Sequence, residues 1–162
     1  MCCIWKVPRD WRYNDSLSQH LLEIEETALQ PWVTVRDGLR GLPDPATTSK
    51  SRFANHNFYP GARAYHGHTG SRLDLPAKTL KAGDHGVPGG ENMLCPDGSV
   101  RYLTLREAAR LQTFPDTWHF QGTWIQAMRQ LGNAVPVELA RVLAESVLSA
   151  LGGTYLPAGS VN

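Results

Sequence analysis

Residues 101–151 read RYLTLREAARLQTFPDTWHFQGTWIQAMRQLGNAVPVELARVLAESVLSAL, and their pattern predicts three helices joined by two tight breaks. Thr104 and Glu107 form a T-x-x-E capping box. In such a box the hydroxyl accepts from the third helical amide and the carboxylate accepts from the cap's own amide, so the first helix starts at Leu105. Leu105, Ala108, Ala109 and Gln112 fall on one face, with Leu111 at its flank. Pro115 stops this helix and Asp116 turns the chain. Thr123 caps a second short helix, whose Trp124, Ile125, Met128 and Leu131 recur at helical spacing. Gly132 sits where a helix takes a left-handed residue just past its end. Pro136 suits the first turn of a third helix, where its missing N–H is not needed. That helix carries Leu139, Leu143, Val147 and Leu151 on one side and ends at Gly152-Gly153.

The link Gly132-Asn133-Ala134-Val135-Pro136 joins two helices with small residues and one amide side chain. Such a link lets another backbone or a flat ligand approach closely. From pattern alone the first reading is a helix–turn–helix corner in which Asn133 satisfies backbone groups.

At 162 residues the chain is long enough for one domain of ordinary size. Hydrophobic residues at 41% and charged residues at 19% fit a soluble globular protein, while 15 Gly and 11 Pro point to many loops. The net charge of +1 argues for no partner, but its distribution is uneven. Residues 1–49 hold five Lys or Arg and seven Asp or Glu. Residues 50–90 hold Lys50, Arg52, Arg63, Arg72, Lys78 and Lys81 against Asp74 and Asp84, a local balance of +4. A basic middle between neutral flanks fits a phosphate-facing surface. By composition alone, a solvated loop-rich face fits as well. The three cysteines, Cys2, Cys3 and Cys95, form no C-x-x-C pair. An odd count without a secretory pattern argues against a disulfide scaffold and for a reducing cytoplasm. No apolar run approaches membrane-spanning length.

Toward the N-terminus, Leu17, Leu21, Leu22 and Ile24 beside Glu25 and Glu26 predict an acidic amphipathic helix, broken at Gln30-Pro31-Trp32. Thr34 then caps a short helix over residues 35–39, with a Pro-rich exit. A boundary falls among the small polar residues 46–51. Residues 52–100 show no strong helical period and read as short strands and long loops, with AKTLKA at 77–82 the best strand. His66 and His68 flank Gly67, with His56 and His85 elsewhere, but no cysteine or carboxylate lies at zinc spacing. These read as loop histidines, some of them near phosphates. The glycines of KAGDHGVPGGENM match no nucleotide-binding loop and instead allow close approach to a backbone.

LTLREAARLQTFPD followed by QLGNAVPVELA resembles the last two sequence motifs of DNA cytosine-5 methyltransferases. The resemblance runs strongly from Arg101 to about Val147 and more loosely from Pro31 to Met93, where WVTVRDGLRGLP is similar to the segment that precedes the family's recognition lobe. It implies an incomplete α/β fold: the C-terminal portion of a Rossmann-like S-adenosylmethionine-dependent methyltransferase, with a small loop-rich, strand-containing recognition lobe and C-terminal helices. It divides the chain into a connecting segment (1–49), a DNA target-recognition region (50–100), helices carrying the last two motifs (101–151) and a tail (152–162). In the family the first motif holds the recognition lobe against the catalytic domain, and the second completes the S-adenosylmethionine pocket. Carried over by position, Asn133, Ala134 and Val135 line that pocket. The family's Thr-aliphatic pair near the target's phosphates matches Thr79-Leu80. Lys78, Lys81, Arg63 and Arg72 are the basic residues placed with it against double-stranded DNA, where phosphate contacts fix register and loop side chains read base edges.

Three family parts have no counterpart. Methyl transfer to cytosine C5 proceeds through covalent addition at C6, for which the family uses the Cys of a Pro-Cys dipeptide. No cysteine here follows a proline, and Cys95-Pro96 has the reverse order. The family's E-N-V segment is also missing, since Glu91-Asn92 is followed by Met93 and lies late in the recognition region instead of before it. The cofactor's glycine loop is absent too. The chain by itself is therefore expected to be inactive. Some family members are divided into two chains, so one expectation is a recognition subunit completed by a chain that carries the catalytic Cys and the cofactor loop. The alternatives are a truncated remnant of a one-chain methyltransferase and a stand-alone DNA-binding module. The face of Leu139, Leu143, Val147 and Leu151 is expected to lack its natural cover, which favours self-association.

Overall fold

Three capping boxes set the helix starts in the computed structural model, which describes residues 31–47, 52–66, 69–82 and 90–152. In each box a threonine hydroxyl accepts from the amide three residues on, and the side chain there accepts from the threonine's amide. Thr34 and Asp37 start α1 (Val35–Gly38). Thr104 and Glu107 start α2 (Leu105–Leu111). Thr123 and Gln126 start α3 (Trp124–Asn133). The last helix, α4 (Val137–Ala150), has Pro136 as its N-cap and no side-chain cap from that residue. The amphipathic stretch near Leu17, the 46–51 boundary beyond Thr47, and His68, His85 and the glycines at 83–89 lie outside the described residues.

The sheet is small. β1 (Ser71–Arg72) runs parallel to β2 (Met93–Cys95), with Ser71 opposite Leu94. β2 runs antiparallel to β3 (Arg101–Tyr102), with Met93 opposite Tyr102. A 3-10 turn, Gly90–Asn92, leads into β2. Met93, Leu94 and Leu103 are fully or almost fully buried, and Leu94 and Leu103 share one core cluster with Ala108, Met128 and Leu131 of α2 and α3. Each large side chain buried this way contributes roughly 1.5–3 kcal/mol. A mixed sheet with helices bears out the α/β expectation at this coarse level.

Several expectations are corrected. Residues 77–82 form no strand. They run extended beside the turn before β2, and a side chain replaces the missing ladder: the Asn92 amide donates to the Lys81 carbonyl at 3.1 Å and its oxygen accepts from the Lys81 amide at 3.1 Å. Gly132 is not a left-handed terminator but lies inside α3. Its role is closeness, because a Cβ there would stand 2.7 Å from Lys81 C and from Ala82 N. Pro136 precedes the first turn of α4 instead of occupying it. Finally α2 ends before Pro115 acts, at Gln112, and Thr113 reverses the chain with φ +58°.

Candidate cofactor wall and nucleic-acid interface

The link between α3 and α4 is open on one side. Asn133 is exposed, Ala134 is half-buried and Val135 is 56% exposed. Ala134 and Pro136 are extended, at φ −77°, ψ 143° and φ −53°, ψ 134°. The turn therefore offers an amide group beside an isopropyl group on a short, proline-stiffened strut. Its base is held from α2, since the Gln112 side-chain amide donates to the Leu131 carbonyl at 2.8 Å. Val135 leads into α4, where Leu139, Leu143 and Val147 are each at least half exposed and no residue is buried.

The sequence-predicted basic residues are only partly brought together. Lys78 and Thr79 are exposed on the extended segment, and Leu80 beside them is buried in the core. The Lys78 amide donates to Ser71 Oγ at 3.0 Å, and its Nζ reaches Thr69 Oγ1 at 3.4 Å, so Lys78 stands next to β1 and its exposed Arg72. Arg72 and Thr69 border an open cavity of about 410 Å³ with Cys95, Pro96, Asp97 and Gly98. Lys81 instead pairs with Glu91 at 3.1 Å. Arg63 is exposed on a separate loop. Asp74, one of the two acids in the basic window, is engaged by Arg36 through two hydrogen bonds of 2.7 and 3.1 Å. Those bonds hold its carboxyl below the ordinary carboxylate value.

Four residues that frame these surfaces take roles that the sequence did not reveal. His56 is not a phosphate-touching loop histidine. It is buried, with Nδ1 2.8 Å from Thr104 Oγ1 and Nε2 2.8 Å from the Pro43 carbonyl oxygen. Arg106 is fully buried on α2 and donates to the carbonyls of Ala54, Pro115 and Trp118. Burial depresses its pKa, yet the carbonyl cradle satisfies its donors. Asn92 anchors Lys81, and Gln112 anchors the α3 terminus. Only Gln112 left a trace in the sequence, as a polar residue on an apolar face. No grouping of His, Cys, Asp and Glu that could hold a metal is present among the described residues. Nor, among them, is any helix long and apolar enough to cross a membrane.

The family model for C-5 cytosine-specific DNA methylases matches residues 5–149, most of the chain. The chain belongs to that family. Among relatives, the Type II methyltransferase M.AplI of Arthrospira platensis is 44% identical over 79 residues, covering 46% of this chain and 22% of that protein. M.NgoFVII of Neisseria gonorrhoeae is 28% identical over 155 residues, covering 82% of this chain and 40% of the relative. DNA (cytosine-5)-methyltransferase 2 of Arabidopsis thaliana is 36% identical over 121 residues, 74% of this chain and 7% of that protein. This methylase-family chain thus spans less than half the length of the relatives it matches.

Proposed function

We propose that this chain is the C-terminal, recognition part of a Rossmann-like cytosine-5 DNA methyltransferase and works with a complementing chain that carries the Pro-Cys nucleophile and the cofactor loop. The observation that carries the reading is α4: fourteen residues, none buried, with Leu139, Leu143 and Val147 at least half exposed. A helix with such a face is built to be covered. In this reading residues 50–100 contact double-stranded DNA, and residues 101–151 carry the two terminal motifs. Lys78, Thr79 and Arg72 hold phosphates from one patch, with Lys81 and Arg63 at its margins. The target base is flipped into the partner's site, since its C5 is out of reach within the stack.

Residues 133–135 fit the edge of an S-adenosylmethionine site. An exposed amide beside an exposed isopropyl group matches a ligand that is polar at its amino-acid end and ribose and apolar across its base. The cofactor would supply the methyl group. This chain's own residues would orient it and exclude water at one edge.

Mixing tests the proposal. The chain alone should transfer no methyl group to duplex DNA, and activity should appear with a chain that carries Pro-Cys and the glycine loop. If no such chain restores activity, the reading fails and a truncated remnant or a stand-alone DNA-binding module takes its place. Within the mixture, Asn133→Ala should weaken cofactor binding by about twofold to tenfold, the worth of one neutral hydrogen bond. It should spare DNA affinity, and Thr79→Val should do the reverse.

A further inference from the structure

Thr113 is a β-branched residue with φ +58°, a backbone that such residues adopt only when the surroundings hold it there. Here its amide donates to the Arg110 carbonyl at 2.9 Å, and its hydroxyl accepts from the Glu138 amide at 2.9 Å. The preceding Gln112 accepts at its own carbonyl from the Val137 amide at 3.1 Å. Its side-chain amide donates to the Leu131 carbonyl at 2.8 Å and, at 3.5 Å, reaches the Ala134 carbonyl. Two adjacent residues thus grip both ends of one turn, taking the last carbonyls of α3 and the first amides of α4. The groups they satisfy are those that helix termini leave without partners. Because α4 buries none of its residues, its direction depends on how its first turn is held. The strained backbone at Thr113 brings the hydroxyl to that point.

We propose that Gln112 and Thr113 are positioning residues for the cofactor wall. They set where residues 133–135 stand, and so tie cofactor affinity to the helix whose Arg106 organises the 52–56 segment. The inference rests on the reading of residues 133–135 as that wall.

The test compares Gln112→Leu, Thr113→Gly and Thr113→Ser in the full chain mixed with its complementing chain. Glycine accepts the positive φ without strain and removes the whole side chain, hydroxyl and methyl together, while serine keeps the hydroxyl and loses only the methyl. Gln112→Leu and Thr113→Gly should each weaken S-adenosylmethionine binding by about threefold to tenfold, with DNA affinity unchanged. Thr113→Gly should also speed hydrogen exchange at the Glu138 amide, and Thr113→Ser should behave as the parent. Parallel loss of DNA affinity would mean general structural damage and overturn the proposal. So would equal cofactor affinity for the glycine and serine variants. Unchanged cofactor affinity in both variants, where Asn133→Ala does weaken it, sinks the clasp and leaves the wall standing. If Asn133→Ala also has no effect, the wall itself fails and the clasp falls with it.

Discussion

α2 and α4 are both amphipathic by sequence, yet five of the seven residues of α2 are buried, Arg106 and Glu107 among them, and none of the fourteen of α4 is. The difference lies in what surrounds each helix. α2 is enclosed by β3, α3 and the 52–56 segment, and its charges are met one donor at a time. Glu107 receives Arg101 through bonds of 2.7 and 2.6 Å, besides its capping bond to the Thr104 amide. Burial would lower the Arg101 pKa, but the hydrogen bonds and charge of Glu107 raise it overall. α4 instead carries its ion pairs in solvent, where Arg141 bridges Glu138 and Glu145 at 2.8 and 2.6 Å. Pairs of that kind add little stability. One helix is thus a structural centre, and the other presents an apolar face.

Removing the charge at the centre should have the largest effect. Arg106→Met leaves the carbonyls of Ala54, Pro115 and Trp118 without their donor in a buried site. Each orphaned carbonyl costs roughly 1–3 kcal/mol, so a total of about 3 kcal/mol or more is expected, read as a fall in the urea midpoint. A loss under about 1 kcal/mol would show that these carbonyls find water, and the contrast between the helices would collapse.

Gly132→Ala comes next, because the new methyl would press on the Lys81 and Ala82 backbone at 2.7 Å. A cost of about 1–3 kcal/mol is expected from overpacking, with a lower melting temperature and a displaced Thr79. An unchanged melt would show that the extended segment yields freely and that the close approach is not structural.

Acid should act on the α2 side first. Asp116 accepts from Arg110 at 2.9 and 2.6 Å, and these bonds hold its carboxyl below its ordinary value of 3.8. A depressed folded pKa stabilises above the unfolded value, and that contribution is lost as pH falls through the folded one. Stability should therefore stay level from neutrality to about pH 5 and fall below about pH 4. Asp116→Asn should flatten part of that fall, and an unaltered acid profile in the variant would refute the assignment. The effect is modest, since Asp116 is about a third exposed and screened by solvent.

The smallest effect on folding is expected on α4. Leu143→Gln should change the stability of the isolated chain by less than about 0.5 kcal/mol, because the side chain is already half exposed. It should reduce self-association, measured by sedimentation, and weaken complementation. A larger loss of stability would mean that α4 is packed in solution, which would remove the contrast it was chosen to test.

Local chemistry was legible where it acts over four residues or fewer. The caps read at Thr34, Thr104 and Thr123 all form, because cap and partner are neighbours in the chain, and the box expected at Thr104 has counterparts at the other two. The break between α3 and α4 was visible as small residues between two periodic stretches, although Gly132 and Asn133 belong to α3. What was not visible depended on distant partners. A strand pattern at 77–82 could not reveal that the Asn92 side chain would replace a ladder, or that Gly132 serves contact instead of a turn. Gln112 looked like one more residue on an apolar face until the α3 terminus arrived beside it.

The sequence by itself determined the threonine-capped helix starts, the apolar stripe of α4 and, through two long motifs, the family. These depend on neighbouring residues and on ordered strings, which the chain carries before it folds. Only the tertiary structure decided which charged residues are interior, since burying Arg106 requires three carbonyls from two other segments to converge on it. It alone also decided which apolar face is covered: periodicity states that a face exists, and burial depends on what the rest of the fold brings to it.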